Sequence, residues 1–218
     1  MEPAFWRDKW TRGEIGFHLP VVNPSLTTHW PALSLSAAAR VFVPLAGKTL
    51  DLHWLRAQGH AVVACELSEV AVRDFYAEAS LTPVVTQAGS FQRWSAGGID
   101  YLVGDCFALD AATLGQIDAV YDRGALVALP PSLRARYVET LHLVLGPGTR
   151  TLLITLDYDQ AQMSGPPFAV PAAEVQTLFA PTHDLALLAQ ADILADEPRF
   201  AARGVTALTS CVWALNRR

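Results

Sequence analysis

Short apolar runs, each bounded by glycine, proline or an acidic residue, recur along the chain with amphipathic stretches between them. Arg40–Leu45 is such a run, and its Pro44 fits only the end of a strand. Gly47 supplies a turn. Leu50, Leu52, Trp54 and Leu55 then give the next segment one apolar helical face, closed by Gly59. Ala61–Glu66 is a second buried strand, apolar until its acidic last residue. Ser68–Ala79 has the period of an amphipathic helix, with Ser68 as its N-cap. Strand, helix, strand, helix at this spacing predicts a parallel sheet.

Further along, Phe91–Ser95 and Ile99–Val103 flank Ala96-Gly97-Gly98, a tight-hairpin signal. Ile117–Asp122 reads as the next strand, lying beside the first in a doubly wound order. Ser132–Leu145 reads as a helix, Thr151–Leu156 as a buried strand, Asp157–Pro167 as a polar loop, and Ala172–Phe179 as a short helix. Leu185–Leu194 and Val205–Leu215 carry strand-forming residues and predict an antiparallel pair at one sheet edge. The chain reads as one domain, with residues 1–35 as an arm or lid and 36–218 as the core. In the arm, Phe5, Trp6, Trp10, Phe17 and Trp30 crowd together, and Trp6 and Trp10 share a face if the segment is helical. These aromatics either pack on the core or cover a flat heterocycle.

Composition narrows the classes. With 51% hydrophobic and 17% charged residues, the chain is globular rather than disordered. A net charge of −5 and no basic stripe leave no electrostatic footprint for nucleic acid. Three scattered cysteines and six histidines without ligand spacing predict neither a disulfide scaffold nor a metal site. The first ten residues hold charges and no apolar core, so they are not a signal peptide. No apolar run approaches ~18 residues, so no membrane span is expected and the cytoplasm is the predicted compartment.

The turn after the first strand carries the chemistry. It has one glycine, Gly47, where a pyrophosphate-binding turn needs three, and Phe42 occupies the position where a P-loop needs its first glycine. That pattern favours a nucleoside ligand without phosphates, and S-adenosylmethionine is one. Glu66 lies 21 residues after Leu45, at a strand end, where a carboxylate accepts from both ribose hydroxyls. Gly104-Asp105 is either an adenine-edge contact or a plain turn. Arg123 either binds a carboxylate or anionic acceptor, or pairs with Asp122 or its neighbours. No nucleophile constellation is present, which suits a group transfer that works by positioning.

Several segments together resemble bacterial thiopurine S-methyltransferases: F-W-R-D-K-W (5–10), I-G-F-H (15–18), V-P-L-A-G-K-T-L-D-L (43–52), E-L-S-E-V-A-V (66–72), Y-D-R-G-A-L-V-A-L-P-P (121–131), L-I-T-L-D-Y-D (153–159) and G-P-P-F-A-V (165–170). The resemblance runs almost end to end. It implies a class I, Rossmann-like α/β methyltransferase fold, a seven-stranded mostly parallel sheet with one reversed edge strand. It implies S-adenosylmethionine as methyl donor, S-adenosylhomocysteine as product, and the sulfur of thiopurines as acceptor. Family members are also linked to selenium and tellurium methylation and to tellurite resistance.

By position, the resemblance assigns Trp10, Leu45, Glu66 and Arg123 to the cofactor, and Asp105 and Cys106 to its adenine side. Phe17 matches an aromatic that covers the active site. Arg199 falls near an arginine that faces the thiopurine, with Arg203 as the competing match. Ala46 departs from the P-L-C-G-K turn usual in bacterial relatives. The expected reaction is in-line displacement by an acceptor thiolate, with no dedicated catalytic base and no metal. The partners expected are small thiols or metalloid compounds, and a monomer suffices. Two rival readings stand beside this: a nicotinamide oxidoreductase, and a tellurite-resistance protein that acts by binding.

Overall fold

The computed structural model describes residues 3–218; Met1 and Glu2, the start of the expected arm, lie outside the described residues. The arm holds α1 (Pro3–Thr11) and α2 (Pro24–His29), the second capped by the Asn23 side chain. A 3₁₀ turn, Trp30–Leu33, leads into β1 (Arg40–Val43). Then come α3 (Asp51–Ala57), β2 (Ala61–Glu66) and α4 (Glu69–Glu78). Next are β3 (Val84–Ala88), β4 (Phe91–Ala96), β5 (Ile99–Val103), α5 (Ala111–Leu114), β6 (Ala119–Asp122), α6 (Ala125–Ala128) and α7 (Pro131–Val144). The chain ends with β7 (Arg150–Asp157), α8 (Ala172–Phe179), β8 (His183–Asp192), α9 (Pro198–Ala201) and β9 (Thr209–Arg217).

All nine strands join one sheet in the order β3-β4-β5-β2-β1-β6-β7-β9-β8. The pairs β5–β2, β2–β1, β1–β6 and β6–β7 are parallel. Buried on both faces, these central strands are near-continuous apolar runs, which is why they are legible in the sequence. Two apolar clusters flank the sheet. One is built around Phe42, Leu102, Leu126, Tyr137 and Leu153, the other around Val41, Leu52, Phe75, Tyr101 and Leu152.

Two details differ from the expected seven strands with a reversed edge. The sheet has nine strands because the β3–β4 hairpin extends it beyond β5. The reversed strand β9 is not at the edge: it is antiparallel to both β7 and β8 and lies between them. The crossover through α8 sets β8 one place away from β7, and the chain turns back after β8 to fill the gap. The Gly97-Gly98 hairpin is as expected, with Ala96 opposite Ile99 and both glycines at positive φ, 61° and 78°.

Candidate active site at the carboxyl ends of the central strands

The turn after β1 is held from three sides. The Gly47 amide donates to Glu66 Oε2 at 2.8 Å, Tyr101 Oη donates to the Gly47 carbonyl at 2.9 Å, and the Ala46 amide donates to the Cys65 carbonyl at 3.0 Å. Glu66 Oε1 accepts from the Ser68 amide at 2.8 Å, so one buried carboxylate clips the β1 turn to the start of α4. Burial pushes the Glu66 carboxyl above its ordinary value, against these backbone bonds, which act to lower it. Leu45 has φ 47° and Gly47 φ 56°, left-handed geometry that costs Leu45 about 1–3 kcal/mol and marks a turn held by its surroundings.

Trp10 covers this turn. It is 5% exposed, and a Cβ on Gly47 would lie 3.0 Å from its ring, so the glycine makes room for the tryptophan. Phe17 meets Trp10 edge-on at 5.5 Å and Trp6 at 5.6 Å. Of the two readings of the arm aromatics, the structure shows the packing one: Trp10 and Trp30 are buried, and Phe17 packs on Trp10 at the candidate ligand turn. Arg199, ion-paired with Glu197 at 2.8 Å, donates to the Gly16 carbonyl beside Phe17. Arg203 instead reaches the Pro166 carbonyl at 3.4 Å. Of the two arginines, Arg199 is the one beside the arm.

At the end of β5 the Gly104 amide donates to the Glu66 backbone carbonyl at 2.9 Å, which joins this segment to β2. Asp105 is exposed, and its Oδ1 accepts from the Phe107 amide at 3.0 Å, capping the 3₁₀ turn Cys106–Ala108. Cys106 is buried beside Cys65. The Cys106 thiol and burial together push the Cys65 thiol well up, so it stays protonated and unreactive.

At the end of β6 the two candidate partners separate. Asp122 is 2% exposed and turned inward. Tyr137 Oη donates to its Oδ2 at 2.7 Å, and the Ala125 and Leu126 amides donate to Oδ1 at 3.1 and 3.2 Å. These bonds turn the carboxylate inward, and it makes no ion pair with Arg123 among the described residues. Arg123 is half-buried and makes no ion pair or side-chain hydrogen bond among the described residues. A cation in that position is available to a ligand.

The far wall is built by Arg134, 1% exposed. It donates to the Leu129 carbonyl at 3.1 Å and the Ala169 carbonyl at 2.9 Å, and pairs with Glu174 at 2.5 Å. It ties the segment after Arg123 to the loop after β7, where the Phe168 amide also donates to the Val127 carbonyl at 2.7 Å. The strand ends therefore bring Trp10, Leu45, Glu66, Asp105, Cys106 and Arg123 to one side of the sheet, with Phe17 and Arg199 over it.

Comparison with known proteins follows the same line. The family model described as Thiopurine S-methyltransferase (TPMT) matches residues 1–218. The chain belongs to the thiopurine S-methyltransferase family. A thiopurine S-methyltransferase of Xanthomonas campestris pv. campestris is 52% identical over 217 residues, covering 100% of both chains. One of Pseudomonas fluorescens is 50% identical over 218 residues, again covering 100% of both. Among solved structures, Burkholderia thailandensis 1,6-didemethyltoxoflavin-N1-methyltransferase, with bound 1,6-didemethyltoxoflavin and S-adenosylhomocysteine, superposes with a TM-score of 0.66. It is 16% identical and covers 99% of this chain and 86% of its own, so it bears on the fold alone. The class I methyltransferase fold implied by the sequence is the one found.

Sequence reasoning missed the residues that hold these strand ends and the arm in place. Tyr101 could have been found, because strand alternation in Ile99–Val103 points it to the same face as Ile99. Asp51, which accepts from the Asn23 amide at 2.8 Å and from Tyr121 Oη at 2.9 Å, carried no such signal. Arg134, within the expected Ser132–Leu145 helix, carried none either and is among the most buried side chains of the described residues.

Proposed function

We propose that this chain transfers the methyl group of S-adenosylmethionine to the sulfur of thiopurines, leaving S-adenosylhomocysteine. The observation that carries the reading is Arg123: a half-buried cation with no ion pair or side-chain hydrogen bond among the described residues, directly after β6, the strand paired with β1. The donor set fits the cofactor. Each Glu66 oxygen accepts one backbone amide and keeps a lone pair for a ribose hydroxyl. The single-glycine turn lets the backbone approach the amino-acid end, while Asp105 and Cys106 border the adenine side and Trp10 covers the ligand. S-adenosylmethionine, when bound, supplies an electrophilic sulfonium methyl.

The protein's contribution is positional. Arg123 and Arg199 favour the anionic form of the acceptor without losing their own charge. Phe17 closes over its ring and excludes water. Orientation of this kind is worth up to about 7–11 kcal/mol of barrier when the reacting atoms are held in line. Selenium and tellurium compounds are further acceptors under the same logic, since they too present a soft nucleophile. Sequestration without catalysis gains nothing from three buried cysteines. The same reading takes the chain as a monomer acting on small molecules in the cytoplasm, with no nucleic-acid partner. No described helix is long and apolar enough to cross a membrane.

The test is Arg123→Glu, checked for folding by circular dichroism, with turnover of 6-mercaptopurine and calorimetric affinity for S-adenosylhomocysteine. Turnover should fall by at least about tenfold, the equivalent of one lost contact near 1.4 kcal/mol. Wild-type turnover and affinity together would remove Arg123 from the site.

A further inference from the structure

His18 has no part in the site described so far. It follows Phe17 directly, and its backbone is fixed: the His18 amide donates to the Ile15 carbonyl at 2.8 Å, while Arg199 holds the Gly16 carbonyl. The turn that carries it is pinned by Phe17 against Trp10 and Trp6. The side chain is half-buried, and its ring makes no hydrogen bond among the described residues. The charged groups around it come from four elements: Lys48 after β1, Asp51 at the start of α3, Glu78 at the end of α4, and Arg123 after β6. Three of these are already committed. Lys48 pairs with Glu78 at 2.5 Å, and Asp51 is held by Asn23 and Tyr121.

We infer that His18 is the group that takes the proton from a neutral acceptor thiol. The inference rests on the proposed function above. Its supports are an imidazole with free ring nitrogens, half-buried and carried on the same turn as Phe17, the aromatic that covers the acceptor under the proposed function. Burial first, then Lys48 and Arg123, hold its pKa below the ordinary histidine value, against Glu78 and Asp51. The ring is therefore neutral near pH 7, the state a proton acceptor needs. In the step, the acceptor S–H bond breaks and its proton goes to an imidazole nitrogen. The sulfur electron pair forms the new S–CH₃ bond, and the bond from methyl to the donor sulfur breaks with its pair. The imidazolium, favoured by the negative charges of Glu78 and Asp51, returns the proton to solvent from its exposed side.

The experiment compares the wild type with His18→Gln and His18→Asn, using 6-mercaptopurine across the pH range that spans its own ionisation. The wild type should keep its rate below that ionisation. The variants should follow the ionised fraction of the acceptor, falling roughly 10²-fold behind at the acid end and regaining the wild-type rate where the thiol is already ionised. A readout independent of turnover is the ultraviolet spectrum of the thiopurine bound together with S-adenosylhomocysteine. Bound to the wild type it should be ionised at a lower pH than when bound to the variants. Parallel pH profiles, a uniform loss at every pH, or identical bound spectra would each overturn the assignment. A wild type that methylates no thiopurine at any pH would instead refute the proposed function on which it rests.

Discussion

Glu66→Gln separates the amide clip that the structure shows from the ribose role proposed for the same side chain. The carboxylate accepts from the Gly47 and Ser68 amides, one on each oxygen, both at 2.8 Å. A glutamine keeps the shape but has one acceptor oxygen, so its NH₂ faces an amide donor. One charge-assisted bond is lost, worth about 1.5–3 kcal/mol, and the other weakens to a neutral one. Relief of burying a charge offsets part of this, because burial already disfavours the ionised form here. The net is about 2 kcal/mol, or a fall in Tm of roughly 4–8 °C for a chain of this size. The assay is thermal unfolding without ligand, paired with calorimetric affinity for S-adenosylhomocysteine. A lower Tm with unchanged affinity would remove the ribose role; a lower affinity with unchanged Tm would show the amide clip to be idle. Wild-type values of both would refute the reasoning as a whole.

Gly47→Ala adds a Cβ 3.0 Å from the Trp10 ring at φ 56°, so Tm should drop by an amount equivalent to about 1–2 kcal/mol and the arm should become a better protease substrate; an unaltered cleavage rate would mean that Trp10 does not depend on this glycine. Arg134→Met leaves Glu174 and two carbonyls without their donor, and denaturant titration should show a loss of about 3–5 kcal/mol; a loss under 1 kcal/mol would show that the clamp contributes little. His183 stacks on His142 at 5.4 Å, and burial, then His142, lower its pKa to about 4. A folded-state pKa below the unfolded value gives stability that is complete above about pH 6.5 and is lost as pH falls towards 4. After discounting for solvent screening, that loss is about 1–2 kcal/mol. His183→Asn should flatten this part of the stability–pH curve, and an unchanged slope would exclude His183 as its source.

The parallel core was legible because a strand buried on both faces must be largely apolar, and β1, β2, β6 and β7 are, with their charged residues confined to the strand ends. β3 was not. All of Val84–Gln87 is exposed, so no face had to be apolar and no alternation marks the strand. The position of β9 was hidden for a different reason: the sequence shows that two strands pair, but not which of them meets β7. In the candidate site, the positions of single residues at strand ends were readable from the sequence, as with Glu66 at the end of β2 and Arg123 directly after β6. Their partners were not. Whether Arg123 pairs with Asp122 depends on which way the Asp122 carboxylate turns, and that is decided by Tyr137, fifteen residues away on α7.

The arm joins the two halves of the reaction. Trp10 lies on the Gly47 turn, the cofactor side under the proposed function, and Phe17, seven residues later, packs on it edge-on and is tied through Gly16 to Arg199. Aromatic pairs in this geometry contribute about 0.5–1.5 kcal/mol beyond their burial, so Trp10, Trp6 and Phe17 move together rather than singly. A ligand that fixes Trp10 then fixes Phe17, and the entropy of ordering the segment is met by whichever ligand binds first. Such coupling is reciprocal: the acceptor must tighten the cofactor by the same factor that the cofactor tightens the acceptor. Trp10→Ala should therefore weaken thiopurine binding measured with S-adenosylhomocysteine present, though Trp10 lies on the cofactor side. Unchanged thiopurine affinity in that variant would show that the two sides of the arm act independently.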